Sequence, residues 1–482
     1  MRPGSTTRRT TGPVQGHLKV PEDEGSSPAG VPGAHTGPFL DRGPLIRYTF
    51  FFSWREPPHA MKMLFVHPRW PKIPEQTEFN LPPLGMIQAA ASVPDPVDVY
   101  AVNENVEAVD LESDADLIAL STLLTCQAPR AYELAREFRS RGKTVIMGGL
   151  HASLCPEEAA EHVDALCVGE GEGLVQRMVA DFEAGGLRKV YRHEPGAFPD
   201  ITALPNPRRD LARKKELYTY KGWELADLVQ TSRGCRFNCP PCCVSYLGGR
   251  RHRIRPRDQV LRDLDACGDI VFFVDNSMEQ SVPYQLDLFR SLAEYGFERA
   301  GRKWISHPIS CTPEVLKAAR DAGCWYVYHA IYTISDKIRD RVARMHDHGI
   351  KVEGTVLLGM DDHTEDFILR LVDFLLEIDL DLAEFTILTP FPRTQIARQM
   401  EREGRIFNRD WEAYNAANVV YQPRHMTPET LHRLYEHAWR SFYAERSQTV
   451  RMSELFMDMI KDSIRRRRAL QRQEKGKNEA NA

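Results

Sequence analysis

The sequence predicts an α/β chain: a doubly wound N-terminal domain, a partial barrel of six β/α units, and a helical C-terminal segment. Three observations carry that prediction. Short apolar runs alternate with stretches of helical spacing from Met61 to about Phe182. A second alternating series begins near Leu228 and repeats through Leu388. The runs are short and nearly continuous in apolar character, as strands of a parallel sheet covered by helices are.

Residues 1–60 are rich in Gly, Pro, Ser, Thr and Arg and show no apolar periodicity before Phe50. Such a stretch buries too little surface to offset its ordering entropy, so it is expected to be disordered. It lacks the charged start, apolar middle and cleavage site of an export signal. A start codon at Met61 or Met63 accounts for it better than a targeting peptide.

In residues 61–182, strands are expected at Met63–His67, Val97–Val102, Leu117–Ser121, Thr144–Met147 and Ala165–Val168, with helices at Leu84–Ala91 and Ala128–Arg141. Ligands of doubly wound sheets bind beyond the carboxyl ends of the strands. His67, Ser121 to Thr125, Gly148, Gly149, His151 and the run Gly169-Glu170-Gly171-Glu172 fall there.

Residues 183–224 are rich in Pro and Arg and read as a connector. The barrel is placed at 225–400. Its strands are expected at Leu228–Thr231, Ile270–Val274, Lys303–Ser306, Trp325–Ile331, Val352–Leu358 and Ala383–Leu388. Helical spacing fills the intervals, and chemistry in such barrels sits at the carboxyl ends of the strands. Residues 401–470 read as mostly helical, ending in the basic run Arg465 to Arg468, and 471–482 as a disordered tail.

Composition narrows the function. The 63 basic and 67 acidic side chains leave a net charge of −4, against a protein that neutralises nucleic-acid phosphates. No apolar run approaches the ~20 residues of a membrane span. Ten cysteines without an export signal point to a reducing, cytoplasmic setting, where thiols act as ligands or core residues.

The most informative segment is Thr231-Ser-Arg-Gly-Cys235-Arg-Phe-Asn-Cys239-Pro-Pro-Cys242-Cys243, directly after the first barrel strand. Three thiols spaced C-x-x-x-C-x-x-C on one loop can converge on an iron–sulfur cluster, for which thiolate is the usual ligand. A four-iron cluster on three cysteines keeps one iron open. The alternatives are zinc, with Cys243 or His252 as fourth ligand, and packed thiols.

On this motif the sequence resembles the radical S-adenosylmethionine superfamily, in the branch with an N-terminal cobalamin-binding domain, over residues 61–450. The resemblance implies a Rossmann-like cobalamin domain, a (β/α)6 partial TIM barrel, a 4Fe-4S cluster on Cys235, Cys239 and Cys242, and S-adenosylmethionine on the open iron. Pro241 stands where the family often has an aromatic residue, and Cys243 is read as a packing thiol. Val274-Asp275-Asn276 resembles the acidic strand end that meets the methionine amino group. Gly354 to Gly359 resembles the glycine-bracketed strand beside the adenine. Leu388-Thr-Pro-Phe-Pro392 resembles the exit of strand six, with Arg393 in place of the usual glycine. A glycine–aromatic–Glu–Ser run common after strand four is replaced by Tyr328-His-Ala-Ile-Tyr332-Thr.

The resemblance extends to the first domain through Leu81-Pro-Pro-Leu-Gly85, Gly148-Gly149-Leu-His151 and Val168-Gly169-Glu170-Gly-Glu172, implying contacts to cobalamin. No Asp-x-His-x-x-Gly segment is present, so no histidine is expected under the cobalt; His67 and His151 read as loop residues. The same family implies cleavage of S-adenosylmethionine to a 5′-deoxyadenosyl radical. The expected activity is methylation of an unactivated carbon of a lipid, tetrapyrrole or secondary metabolite, with a flavodoxin or ferredoxin as electron donor. The alternatives are an oxidative cyclase or rearranging enzyme, like the anaerobic magnesium-protoporphyrin ester cyclase, and a non-catalytic metal-binding module. Tyr328, His329, Glu384, Thr386 and Thr389 are the expected substrate-side residues.

Overall fold

The computed structural model describes residues 60–71, 81–212, 218–220, 223–224 and 226–480. The disorder expected before residue 60 lies outside the described residues.

The first sheet is parallel and built from β1 (Lys62–His67), β2 (Asp98–Asn103), β3 (Leu117–Thr122), β4 (Thr144–Gly149), β5 (Ala165–Val168) and β6 (Val190–Arg192). Its order is β2-β1-β3-β4-β5-β6. β6 comes from the stretch read as connector. It pairs with β5 through Leu166↔Val190 and Val168↔Arg192, and three residues are too short a run to stand out by periodicity. Two apolar layers cover the faces: Met63, Phe65, Leu117 and Ile146 on one side, Leu64, Val66, Ile118 and Val145 on the other. This opposite-face alternation is the period of two that a strand imposes. The strand order reverses between β1 and β3, which opens a crevice at their carboxyl ends.

The second sheet follows the chain without interruption: β7 (Asp227–Val229), β8 (Ile270–Phe273), β9 (Lys303–Ser306), β10 (Cys324–Ile331), β11 (Lys351–Leu358) and β12 (Leu382–Ile387) are neighbours in sequence order and all parallel. Helices cover its convex face. Several begin on hydroxyl caps: Thr312, Ser335, Thr364 and Thr427 each accept from the backbone N–H three residues on, satisfying a donor the helix itself leaves free. Val271, Phe273, Trp304, Val352, Val356 and Phe385 pack beneath these helices.

The concave face is closed by the last helix, Gln448–Ala480. Met452, Leu455 and Met459 pack onto Phe272, Ile305, Tyr326 and Leu382. Lys303, also on this face, pairs with Glu298 (3.1 Å) and with Asp462 of the helix (2.7 Å). The helix continues through residues 471–480, where the sequence reads as a disordered tail. The segment is polar, but Gln, Arg, Glu and Lys are strong helix formers and extend a helix already anchored upstream. Among the described residues, no helix is long and apolar enough to cross a membrane.

Candidate cofactor and substrate site

Beyond β7 the chain runs through Thr231 and Ser232 into the cysteine loop, and Asp275 fixes that passage. Fully buried, its carboxylate accepts from the Thr231 N–H (3.1 Å) and hydroxyl (2.9 Å) and from the Ser232 hydroxyl (2.6 Å) and N–H. Burial pushes the Asp275 carboxyl up to about 6, against the pull of these donors. Its oxygens are turned to the loop backbone rather than outward to a methionine ammonium. Asn276 follows at the same strand end, and the buried Ser277 hydroxyl beside it has no partner.

Gly234 must be glycine: its φ is +79°, and a Cβ would stand 2.2 Å from the Arg251 carbonyl. The Gln280 amide accepts from the Arg236 N–H (3.1 Å) and donates to the Gly234 carbonyl (3.1 Å). The N–H of Cys235 donates to Gly249, and that of Cys242 to Cys239, both at 3.1 Å. The loop is thus pinned on both sides while Cys239 and Cys242 face out and Cys235 lies beneath.

The donor set fits a cluster better than a single ion. Among the described residues, the His/Cys/Asp/Glu trio whose donor atoms all lie within 4.8 Å of one another is His151, Cys155 and Glu158, not the loop thiols. Sulfurs around tetrahedral zinc would stand only ~3.8 Å apart. Of the alternative zinc ligands, Cys243 precedes the short helix Val244–Leu247, where burial pushes its thiol up to about 11. His252 lies edge-on to Tyr284 at 5.3 Å.

On the first sheet, a Cβ at Gly148 would press on Cys167, and one at Gly149 (φ +100°) would come within 2.2 Å of the Thr122 carbonyl. These glycines therefore serve the close passage of β3, β4 and β5. Gly169 differs: its φ is +91° and open space lies where a side chain would stand. At the end of β3, Leu123 and Leu124 are exposed, and the buried Thr125 hydroxyl has no partner. Open space, an apolar rim and an orphaned hydroxyl fit a large, mostly apolar ring system such as a corrin.

The two histidines at this rim are engaged by protein. His67 Nδ1 lies 2.9 Å from the Ser121 carbonyl, and burial pushes its imidazole down to about 4. His151 Nε2 lies 2.8 Å from the Tyr132 hydroxyl, and Trp411 donates to Glu158 at 2.7 Å in the same cluster. His151, whose ring also meets Trp411 edge-on at 5.2 Å, therefore helps seat the C-terminal region on the first domain, while its buried Nδ1 has no partner. Glu170, read as a cofactor contact, is likewise engaged: it pairs with Arg233 (2.9 Å) and with Arg253, while Glu172 takes the other arm of Arg233 at 2.6 Å.

Strand parity sorts the barrel residues. Tyr328 pairs in register with Glu353 and thence with Leu382, on the concave face. Glu384 and Thr386 share that face. His329 pairs with Gly354 on the convex face. A Cβ at Gly354 would meet Leu380 and Ile331, and one at Gly359 would meet the Tyr421 hydroxyl and Leu431. Both glycines are explained by core packing, not by the approach of an adenine. Tyr332 is exposed, with its carbonyl accepting from His363 Nε2 at 2.9 Å. The Thr389 hydroxyl is turned back to the Ile387 carbonyl at 3.1 Å. The sequence reading missed Glu353, whose signal is a lone acid inside an apolar strand.

Against known proteins, the family description "B12 binding domain" matches residues 75–179 and "Radical SAM superfamily" matches residues 229–375. Bacteriochlorophyllide d C-8(2)-methyltransferase of Chlorobaculum tepidum is 27% identical over 353 residues, which are 66% of this chain and 76% of that protein. Hopanoid C-2 methylase of Rhodopseudomonas palustris is 26% identical over 359 residues, 68% of this chain and 66% of that one. A radical S-adenosylmethionine methyltransferase, TsrM from Kitasatospora setae, solved with cobalamin and a 4Fe-4S cluster, shares the fold at a TM-score of 0.56 and 15% identity, over 71% of this chain and 75% of its own.

Proposed function

Since the chain belongs to the radical S-adenosylmethionine superfamily and carries an N-terminal cobalamin-binding domain, we propose that it is a C-methyltransferase acting on an unactivated carbon of a lipid, tetrapyrrole or other small molecule. One observation carries the reading. The ion pairs of Arg233 with Glu170 and Glu172 tie the glycine-opened rim of the first sheet to the chain entering the cysteine loop, so ligands on the two would share one chamber.

Cys235, Cys239 and Cys242 would hold the cluster, with Asn276 and the orphaned Ser277 hydroxyl near the S-adenosylmethionine. The rim around Gly169, Leu123 and Thr125 would hold the corrinoid. Bound there, these groups supply a carbon-centred radical and a transferable methyl group, chemistry that side chains cannot provide. The chain's own part is positional: Asp275, Gln280 and Gly234 shape the cysteine loop, Arg233 and Arg253 fix it against the first domain, and the concave barrel face receives the substrate. An electron donor of the flavodoxin or ferredoxin type and a cytoplasmic setting go with this reading.

The ring-forming alternative has less support, since both relatives named above are methylating enzymes by name. The test uses anaerobically reconstituted protein with a reductant and methyl-labelled S-adenosylmethionine. Methyl transfer gives labelled product and S-adenosylhomocysteine with 5′-deoxyadenosine; deoxyadenosine alone, with substrate and corrinoid present, points to ring formation. Cys239→Ala should abolish 5′-deoxyadenosine and the labelled product, whereas Cys243→Ala should keep near-normal iron. Loss of iron in Cys243→Ala overturns the ligand assignment.

A further inference from the structure

The last helix, Gln448–Ala480, presents two faces of different chemistry. Met452, Leu455 and Met459, spaced three and four residues apart, are buried against the concave face of the barrel. Val450, Met457 and Ile464 recur every seventh residue and so share another line along the helix. At about 100° per residue that line lies roughly opposite the buried one. The three side chains are 44%, 43% and 44% exposed. Apolar side chains left in water at a fixed helical period form an uncovered face, not scattered exceptions.

Cations are set among them. Lys461 follows Met457 by one turn and Arg468 follows Ile464 by one turn; Arg465 and Arg472 continue the same side, and all four are exposed. Residues 461–477 hold eight Lys and Arg against two acids, in a chain whose net charge is −4. One of those acids, Asp462, is turned inward, to Lys303 (2.7 Å) and Arg320 (3.6 Å). Nearer the start of the helix the exposed acids are matched: Glu454 pairs with Arg446 (3.2 Å) and Asp458 with Lys461 (3.6 Å). The unbalanced charge therefore lies beyond Asp462, and no further acid occurs before Glu474.

Crowded cations on one helix repel one another, so this half of the helix gains from an anionic partner. The apolar line interleaved with them selects the kind of partner. A nucleic-acid backbone offers nothing to Val450, Met457 and Ile464. A layer of lipid headgroups takes up both kinds of side chain, the cations at the phosphates and the apolar groups at the acyl boundary.

We propose that the outer face of this helix docks on an anionic lipid bilayer, with the helix lying in the plane of the headgroups. Val450, Met457 and Ile464 dip toward the acyl chains, and Lys461, Arg465, Arg468 and Arg472 meet the headgroups. The helix lies on the bilayer and does not cross it, being too polar to span. The inference is independent of the methyl-transfer reading.

The test is co-flotation of the full-length chain with vesicles of phosphatidylcholine, alone or with about 30% phosphatidylserine. Anionic vesicles should be bound at least ~10-fold more tightly than neutral ones, and that preference should fall away as salt rises from about 0.1 M to about 0.5 M. Arg465→Gln, Arg468→Gln and Arg472→Gln together should lower the affinity for anionic vesicles by at least ~10-fold. Met457→Ser with Ile464→Ser should lower it several-fold and leave the salt dependence unchanged, because the cations remain. All five substituted side chains are exposed, so circular dichroism should match that of wild type. Equal binding to both kinds of vesicle, no binding to the anionic kind, or undiminished binding by the arginine variant overturns the proposal. A duplex oligonucleotide bound more tightly than anionic vesicles, and equally well after Met457→Ser with Ile464→Ser, assigns the cations to nucleic acid and overturns it too. The wild-type readings stand even if a variant folds poorly.

Discussion

Arg233 and Glu172 meet at 2.6 Å in a setting where their side chains are 13% and 7% exposed. Arg233 stands two residues before Cys235, and Glu172 closes the Gly-Glu-Gly-Glu run after β5, so the pair joins the two loops assigned to cofactors. A buried ion pair adds little relative to well-packed apolar groups, but removing one partner strands the other charge. Arg233→Ala is expected to destabilise the protein by about 3–5 kcal/mol on that ground, and to lower the corrinoid retained after gel filtration. Arg233→Lys should recover only part, because an ammonium cannot reach two carboxylates in the fork geometry of a guanidinium. Urea unfolding and the visible spectrum of the bound corrinoid are the measurements; unchanged values for Arg233→Ala would mean that the pair is incidental.

The same pair gives a pH dependence with a fixed sign. Burial acts to raise the Glu172 carboxyl, but the Arg233 guanidinium bonded to it wins and holds it below the usual range. A carboxyl depressed in the folded state contributes stability that is fully present above its unfolded value of roughly 4.3 and is lost as pH falls through the folded value. The stability gap between wild type and Arg233→Ala should therefore be constant near neutrality and shrink below about pH 4. A gap that stays constant into acid would show that the charge on Glu172 is not what Arg233 stabilises.

Asp275 is expected to act through the cysteine loop. Asp275→Asn keeps the volume but turns an amide NH2 toward at least one of the donors on Thr231 and Ser232, leaving a buried group unsatisfied at about 1–3 kcal/mol. The readout is iron bound per chain after reconstitution. It should fall, with far-UV circular dichroism near that of wild type, because the loop and not the barrel loosens. Full iron content with unchanged stability would separate Asp275 from the loop.

Most elements are legible because their strands are short apolar runs and their helices carry an apolar face at the helical period, as at Lys303–Ser306; β6 and the polar end of the last helix carry neither signal. What was not legible is the direction a side chain takes within a strand. Gly354 was read as a ligand-side residue, yet it packs on Leu380 and Ile331, while its neighbour Glu353 points into the barrel. Adjacent residues of a strand face opposite ways, so an uncertainty of one residue exchanges core for cavity. Motif reading located Asp275, Glu170 and His151 but not their partners. Thr231, Arg253 and Tyr132 lie 44, 83 and 19 residues away in the chain, and only the fold brings them together.

The last helix closes the concave face of the barrel, and Lys303 tests whether its ion pairs hold it there. Lys303 is 1% exposed and bridges Glu298 to Asp462, with Arg320 3.6 Å from Asp462 as a second cation. Lys303→Met preserves most of the stem's packing and removes the charge. Because Arg320 remains, the loss should sit near the lower end of the ~3–5 kcal/mol for a broken buried pair. The concave face would then open before the rest of the protein unfolds, since beside the apolar contacts of Met452, Leu455 and Met459 the helix keeps only the polar ties to the barrel of Arg451 to the Leu380 and Asp381 carbonyls and of Asp462 to Arg320 among its described contacts. Hydrogen exchange should show faster exchange in residues 448–462 with little change in β7 to β12. Uniform acceleration across the barrel would mean that the helix is part of its cooperative core, and unchanged exchange that packing alone fixes it.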